Sequence, residues 1–159
     1  MPGKAPRPHK YASSLLEALR EALSRLCDEC SARIVCVLGE EELNQEDLPE
    51  GVPRPDVVVV VEVRTRNRVY RVMLGVEYAG GRRGQPKDVK QALEGFEAAQ
   101  HVARRACSIQ GADLYIPVLH MHGGLPSALR KPPVRVSCDT SVNRANRRIL
   151  EGWLRGLRL

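Results

Sequence analysis

The chain has 159 residues, a hydrophobic share of 43% and a formal net charge of +6. This length is enough for one domain with a buried core, and no apolar run is long enough to span a bilayer. The first ten residues are basic and contain prolines but no apolar segment, so we expect no signal peptide, a disordered tail over residues 1–10 and a cytoplasmic protein. We predict one domain over 11–159, with a core over 11–120 and a C-terminal loop and helix over 121–159.

Hydrophobic periodicity predicts an alternation of helices and strands. The predicted elements are, in chain order, a helix over about 14–28, strands over 32–38, 57–61 and 69–78, a helix over 86–106, a strand over 114–119 and a last helix that begins near Ser141. Ser14 and Glu17 have the spacing of a capping box. Residues 39–55 form a long acidic connection with room for a short helix, and Pro117 indicates a sheet edge or an irregular strand end. Residues 123–139 resemble a loop.

Five cysteines are present, and two of them, Cys27 and Cys30, form a single CxxC pair. One CxxC without a second one gives little support for a zinc site. Buried reduced thiols are the favoured interpretation, and a stabilising disulfide is the next, since disulfides occur in intracellular proteins of hyperthermophiles.

The two central strands bring two carboxylates together if they form a hairpin with a two-residue turn at Arg66 and Asn67. Paired positions then sum to 133, which puts Asp56 opposite Glu77. Directly opposed residues share one face of the sheet, with Cβ atoms about 4.5–5.5 Å apart. Two carboxylates at that separation can share one divalent cation. The alternative is that both are strand-end acids held by nearby arginines.

These residues resemble a motif of the PD-(D/E)xK nuclease superfamily, especially archaeal Holliday-junction-resolvase-like and RecB-like nucleases. The resemblance covers roughly residues 10–120 and lies in Pro55-Asp56, in Val76-Glu77-Tyr78 and in the helical segment 88–93. It implies an α/β fold with a restriction-endonuclease-like αβββαβ core, a mixed sheet flanked by helices and a C-terminal helix.

The resemblance also implies site residues and a reaction. Asp56, Glu77 and the Tyr78 carbonyl would bind Mg²⁺ or Mn²⁺, and a coordinated water would attack a DNA phosphodiester because the metal lowers the pKa of that water. Glu17 matches an acid that some members use as a further ligand, although its capping-box role is sufficient explanation. Gln91 would contact a phosphate or the water, although a solvated surface glutamine is about as good a reading.

This chain departs from the family at Ala79, where the family has a lysine two residues after the glutamate. Lys87, or less favourably Lys90, would then reach in from the following helix, or the site is weakened or inactive. Arg82 and Arg83, in a glycine-containing loop, are candidate phosphate contacts together with Lys87 and Lys90.

We therefore expect an endonuclease that acts on duplex or branched DNA. A homodimer would suit such a substrate. The alternatives are an inactive nucleic-acid-binding protein on the same scaffold and a homo-oligomeric structural protein.

Overall fold

The computed structural model describes residues 6–45, 48, 51–79, 86–121 and 131–159. Within them the elements are α1 (Pro8–Leu26), β1 (Ser31–Leu38), α2 (Glu40–Gln45), β2 (Val57–Arg64), β3 (Val69–Tyr78), α3 (Pro86–Glu94), α4 (Phe96–Ala106), β4 (Leu114–His120), β5 (Val134–Val136), α5 (Arg144–Leu154) and a 3₁₀ turn (Arg155–Leu157). The predicted α/β class is confirmed.

The sheet has five strands in the order β1-β2-β3-β4-β5. The first three form an antiparallel meander, while β4 runs parallel to β3 and β5 runs parallel to β4. The parallel step follows from the connection through α3 and α4, because parallel neighbours need a crossover rather than a tight turn. The predicted mixed sheet flanked by helices is therefore confirmed.

Both faces of the central strands are covered, which explains the run of valines in β2. Val57, Val59 and Val61 pack on one face with apolar residues of α1 and α5. Val58 and Val60 pack on the opposite face with residues of α2 and α4. The helices therefore cover both faces of the sheet, and the ends of the strands are where a functional site can form.

The first helix begins earlier than the periodicity predicted. It starts at Pro8, whose fixed φ suits the first turn of a helix, and its N-cap residue Arg7 makes no side-chain capping bond. Ser14 is therefore inside the helix, where its hydroxyl lies 3.1 Å from Thr140 Oγ1. The predicted capping box is wrong, and so is the predicted tail as far as it included residues 8–10.

Three other features of the fold differ from the predictions. The predicted helix over 86–106 is two helices that break at Gly95. Pro117 is not at a sheet edge, because β4 lies between β3 and β5. The pairing with β5 starts only at Val118, so the missing N–H of Pro117 removes no bond on that side. The segment predicted as a loop contains β5, which is stabilised by its pairing with β4.

The last helix is capped by Asn143 rather than by Ser141, since the Asn143 side chain accepts from the Asn146 backbone N–H. Its buried residues are Asn146, Leu150 and Leu154. Asn146 is buried because its side-chain oxygen accepts from the Arg135 N–H of β5, 2.7 Å away.

Four of the five cysteines are paired, so the prediction of reduced thiols is wrong for them. Cys27 bonds to Cys30 after α1, and Cys36 of β1 bonds to Cys107 at the end of α4. Cys138 is exposed and takes part in neither disulfide. The second disulfide joins the sheet to the helices that cover it.

No helix in the described ranges is both long and apolar enough to cross a membrane.

Candidate functional site

The hairpin of β2 and β3 has the predicted register. Its paired residues run from Arg64 with Val69 to Val57 with Val76, and every pair sums to 133. Thr65 closes the two-residue turn, because its N–H donates to the Arg68 carbonyl at 2.8 Å. Asp56 and Glu77 are the next residues beyond the last pair, so the hairpin brings them to the same end of the sheet.

Asp56 attaches to the end of β3 through two hydrogen bonds. Its N–H donates to the Val76 carbonyl at 2.7 Å, and its carboxylate oxygen Oδ2 accepts from the Tyr78 N–H at 2.7 Å. The carboxylate is thus held on the backbone of β3, one residue past Glu77. A charged acceptor on a backbone N–H is a strong and directional contact, which fixes the position of this carboxylate.

Glu77 has the most perturbed carboxylate in this region. Burial, and then the negative charges of Asp56 and Asp88, raise its pKa to about 8. The charge effect of Asp56 agrees with the hairpin register, because like charges raise a carboxyl pKa only at short range. Glu77 therefore holds its proton in the metal-free protein at neutral pH.

Asp88 is a site residue that the sequence reasoning missed. It lies in the first turn of α3, and only 4% of its surface is exposed. Its effect on Glu77 arises because α3 packs against the ends of β3 and β4. The only sequence signal is an acidic residue at the start of a helix, which is ordinary by itself.

Asp56 also has a raised pKa. Burial is the main cause, the Tyr78 N–H opposes it, and the charge of Glu40 in α2 adds to it. Several carboxylates thus crowd one end of the sheet. A cation placed between Asp56 and Glu77 would relieve their repulsion.

The donor set fits a hard divalent cation of the Mg²⁺ kind, which is commonly held by one or two carboxylates together with substrate phosphates and waters. Within the part of the chain that the structure describes, no group of three or more His, Cys, Asp or Glu side chains is arranged to hold a metal ion. The fit is therefore to a pair of carboxylates. Glu17 is exposed in the middle of α1, which does not support the ligand role that the resemblance implied.

The position that the lysine of the resembling family would occupy is apolar here. Ala79 is fully buried and packs with Val89, Leu119 and Met121. Its N–H donates to the His120 carbonyl at 2.9 Å, so the backbone of β3 stays paired to β4 past Tyr78. A longer charged side chain at this position would lose its hydration inside the cluster.

The other predicted polar residues lie on or before α3. Lys87, Lys90 and Gln91 are exposed, and the Lys90 ammonium lies 4.0 Å from a Glu94 carboxylate oxygen. The structure records no contact of these three side chains with Asp56 or Glu77. Arg82 and Arg83 lie outside the described residues.

The opposite face at this end of the sheet carries a buried aromatic cluster. The Tyr11 hydroxyl lies 2.7 Å from His120 Nδ1, and the Tyr78 ring meets the His120 ring edge-on with centroids 5.0 Å apart. His120 pairs with Tyr78, whereas Leu119 pairs with Glu77. Successive side chains alternate between faces, so the His120 imidazole does not share the face of Glu77.

Comparison with known proteins identifies no relative. No protein-family model matches the chain, and no curated protein or solved structure matches it. Any functional conclusion therefore depends on the chemistry of its own residues.

Proposed function

We propose that this chain is a metal-dependent, endonuclease-like protein that hydrolyses DNA phosphodiester bonds. The observation that carries the proposal is the pair of half-buried carboxylates, Asp56 and Glu77, on adjacent strands. Burial, and then the negative charges of Asp56 and Asp88, raise the pKa of Glu77 to about 8. Strongly shifted titratable groups that act on one another are enriched at functional sites. The proposal includes a restriction-endonuclease-like core as the scaffold.

In this proposal Asp56 and Glu77 hold one Mg²⁺ or Mn²⁺, with the Tyr78 carbonyl as a further ligand. A bound cation would neutralise charge on the scissile phosphate and lower the pKa of water. The protein's own contribution is to position the ligands. The Tyr78 N–H orients Asp56 at 2.7 Å, and the His120 ring packs on the Tyr78 side chain.

The remaining charge stabilisation would come from basic residues that precede α3 in the sequence or belong to it. Lys87 follows Pro86 in the first turn of α3, and its exposure leaves its ammonium able to approach a bound phosphate. Arg82, Arg83 and Lys90 are proposed to contact neighbouring phosphates, and Gln91 is proposed to contact the scissile one.

A second candidate function is nucleic-acid binding without catalysis on the same scaffold. The burial of Ala79 among apolar side chains favours it, because nothing at that position can act on a bound phosphate. The net charge of +6 suits a polyanionic partner under either proposal. The cytoplasmic location and the homodimer stay predictions.

Calorimetry with Mn²⁺ tests the proposed metal site. We expect the wild type to bind one Mn²⁺, Asp56→Ala to lose binding, and Glu97→Ala, which changes an exposed acid of α4, to bind as the wild type does. Equal binding to wild type and Asp56→Ala would refute the metal site.

A cleavage assay then separates the two candidates. The substrates are linear, nicked and four-way DNA in Mg²⁺ and in Mn²⁺. Cleavage of any of them by the wild type but not by Asp56→Ala supports the nuclease, whereas retention of DNA without cleavage supports the binding protein. No retention at any salt concentration would leave a structural, homo-oligomeric role.

A further inference from the structure

The hydroxyl of Tyr115 is a buried polar atom without a hydrogen-bond partner among the described residues. Tyr115 is the second residue of β4, and its ring contacts that of Phe96 with centroids 5.2 Å apart. Buried hydroxyls are nearly always paired, since an unmade bond costs free energy. An unpaired one therefore calls for a physical explanation.

Two glycines make the space for this hydroxyl. A Cβ atom added to Gly75 would lie 2.0 Å from the Tyr115 oxygen, and one added to Gly95 would lie 2.9 Å from it. Gly75 is inside β3, where a glycine weakens a strand, and Gly95 separates α3 from α4. The Tyr115 oxygen thus lies in space that a side chain at position 75 or 95 would fill.

The hydroxyl lies on the same face of the sheet as Glu77. Tyr115 pairs with Met73 and Leu119 pairs with Glu77, four residues further along both strands. Side chains four residues apart share a face. Gly75, which the Tyr115 oxygen overlies, is two residues from Glu77, or about 7 Å along the strand.

Electrostatics agrees with this placement. Burial, and to a smaller extent the charge of Glu77, raises the pKa of Tyr115 above its ordinary range. The phenol therefore stays protonated at physiological pH and remains a hydrogen-bond donor beside an acidic group.

We propose that Tyr115 is a positioning residue whose hydroxyl donates a hydrogen bond to the Glu77 carboxylate when that carboxylate holds a cation. This inference rests on the proposed metal site. Residues that orient metal ligands in this way affect metal affinity without touching the metal. The buried Tyr115 hydroxyl is then the donor that orients this carboxylate.

Tyr115→Phe tests the role because it removes the hydroxyl and keeps the ring. We expect the affinity for Mn²⁺, measured by calorimetry, to fall about tenfold. The urea midpoint of the metal-free variant should be equal to that of the wild type or higher, since an unpaired buried donor is removed. A purely structural role predicts the reverse, with a lower midpoint and unchanged affinity.

Tyr70→Phe is the matched control, because Tyr70 lies near the other end of β3 and packs its ring under Arg68. It should leave Mn²⁺ affinity unchanged. If Tyr115→Phe binds Mn²⁺ as the wild type does, Tyr115 has no positioning role although the metal site stands. If the wild type itself fails to bind Mn²⁺, the proposed function fails and the role of Tyr115 is overturned with it.

Discussion

Glu77 shows how one residue connects the fold to the proposed chemistry. A carboxyl group that is half-buried and faces other carboxyl groups is held in its protonated form, as its pKa of about 8 indicates. Such a group destabilises the folded chain when it ionises, unless a cation compensates its charge. This loss of stability on ionisation should therefore be measurable when a chelator removes divalent cations.

We predict that ionisation of Glu77 makes the metal-free protein less stable at alkaline pH. Because the folded pKa lies above the ordinary value of 4.5, the folded state binds the extra proton between these two values, and stability falls as pH rises from about 4.5 through about 8. Glu77→Gln lacks this loss. The measurement is urea unfolding in a chelator at pH about 6 and about 9. Between these two pH values the free energy of unfolding of the wild type should fall by about 1–3 kcal/mol more than that of Glu77→Gln, after discounting for solvent screening.

Glu97→Gln, at an exposed position of α4, is the control and should follow the pH dependence of the wild type. A wild type and Glu77→Gln with parallel pH profiles would show that the Glu77 carboxyl has an ordinary pKa. Mn²⁺ added at alkaline pH should restore stability to the wild type and to Glu97→Gln but not to Glu77→Gln, because only the first two proteins keep the carboxylate pair that binds the cation.

Among the elements, β1 and α4 are held together by the Cys36–Cys107 disulfide. It closes a loop with a sequence separation of 71. The entropy that such a loop loses in the unfolded chain corresponds to about 4 kcal/mol of stabilisation. We predict that Cys36→Ser/Cys107→Ser lowers the free energy of unfolding by about 2–4 kcal/mol, measured by urea denaturation without reductant.

The Cys27–Cys30 pair provides the comparison, because its sequence separation is only 3. Cys27→Ser/Cys30→Ser should lose less, about 2 kcal/mol or below. A loss in the first variant no larger than in the second would contradict the loop-closure explanation.

Elements with a strong local pattern could be predicted from the sequence. Five consecutive valines determine β2, and the length of the turn that follows it determines the register that brings Asp56 beside Glu77. By contrast, β5 has only three residues and depends on its pairing with β4. The start of α1 was missed because a proline, and not a capping side chain, begins that helix.

Site residues that depend on tertiary packing could not be predicted in this way. The Tyr115 hydroxyl has its position because Gly75 and Gly95 lie on different elements and both lack a side chain. Asp88 acts on Glu77 through the packing of α3 against the sheet. The Cys36–Cys107 bond depends on the same kind of long-range contact. Neither periodicity nor motif spacing contains this information.

For the whole molecule, the important contrast is between an acidic site and a basic chain. The net charge is +6, yet the charges of Asp56 and Asp88 both act on Glu77 at one end of the sheet. A DNA strand attracted by the overall charge would meet local repulsion at these carboxylates without a cation. Metal binding and DNA binding should therefore reinforce each other.

We predict that duplex DNA binds with an affinity that falls roughly a hundredfold between about 50 and 200 mM salt, as expected for about four neutralised phosphates. In a chelator at pH about 9, where Glu77 is ionised, Asp56→Asn/Glu77→Gln should bind DNA more tightly than the wild type because it removes two repelling charges. With Mn²⁺ the order should reverse, since only the wild type gains a bound cation. Fluorescence anisotropy with a labelled duplex measures both conditions. Equal affinities of the two proteins in both conditions would mean that DNA does not approach these carboxylates.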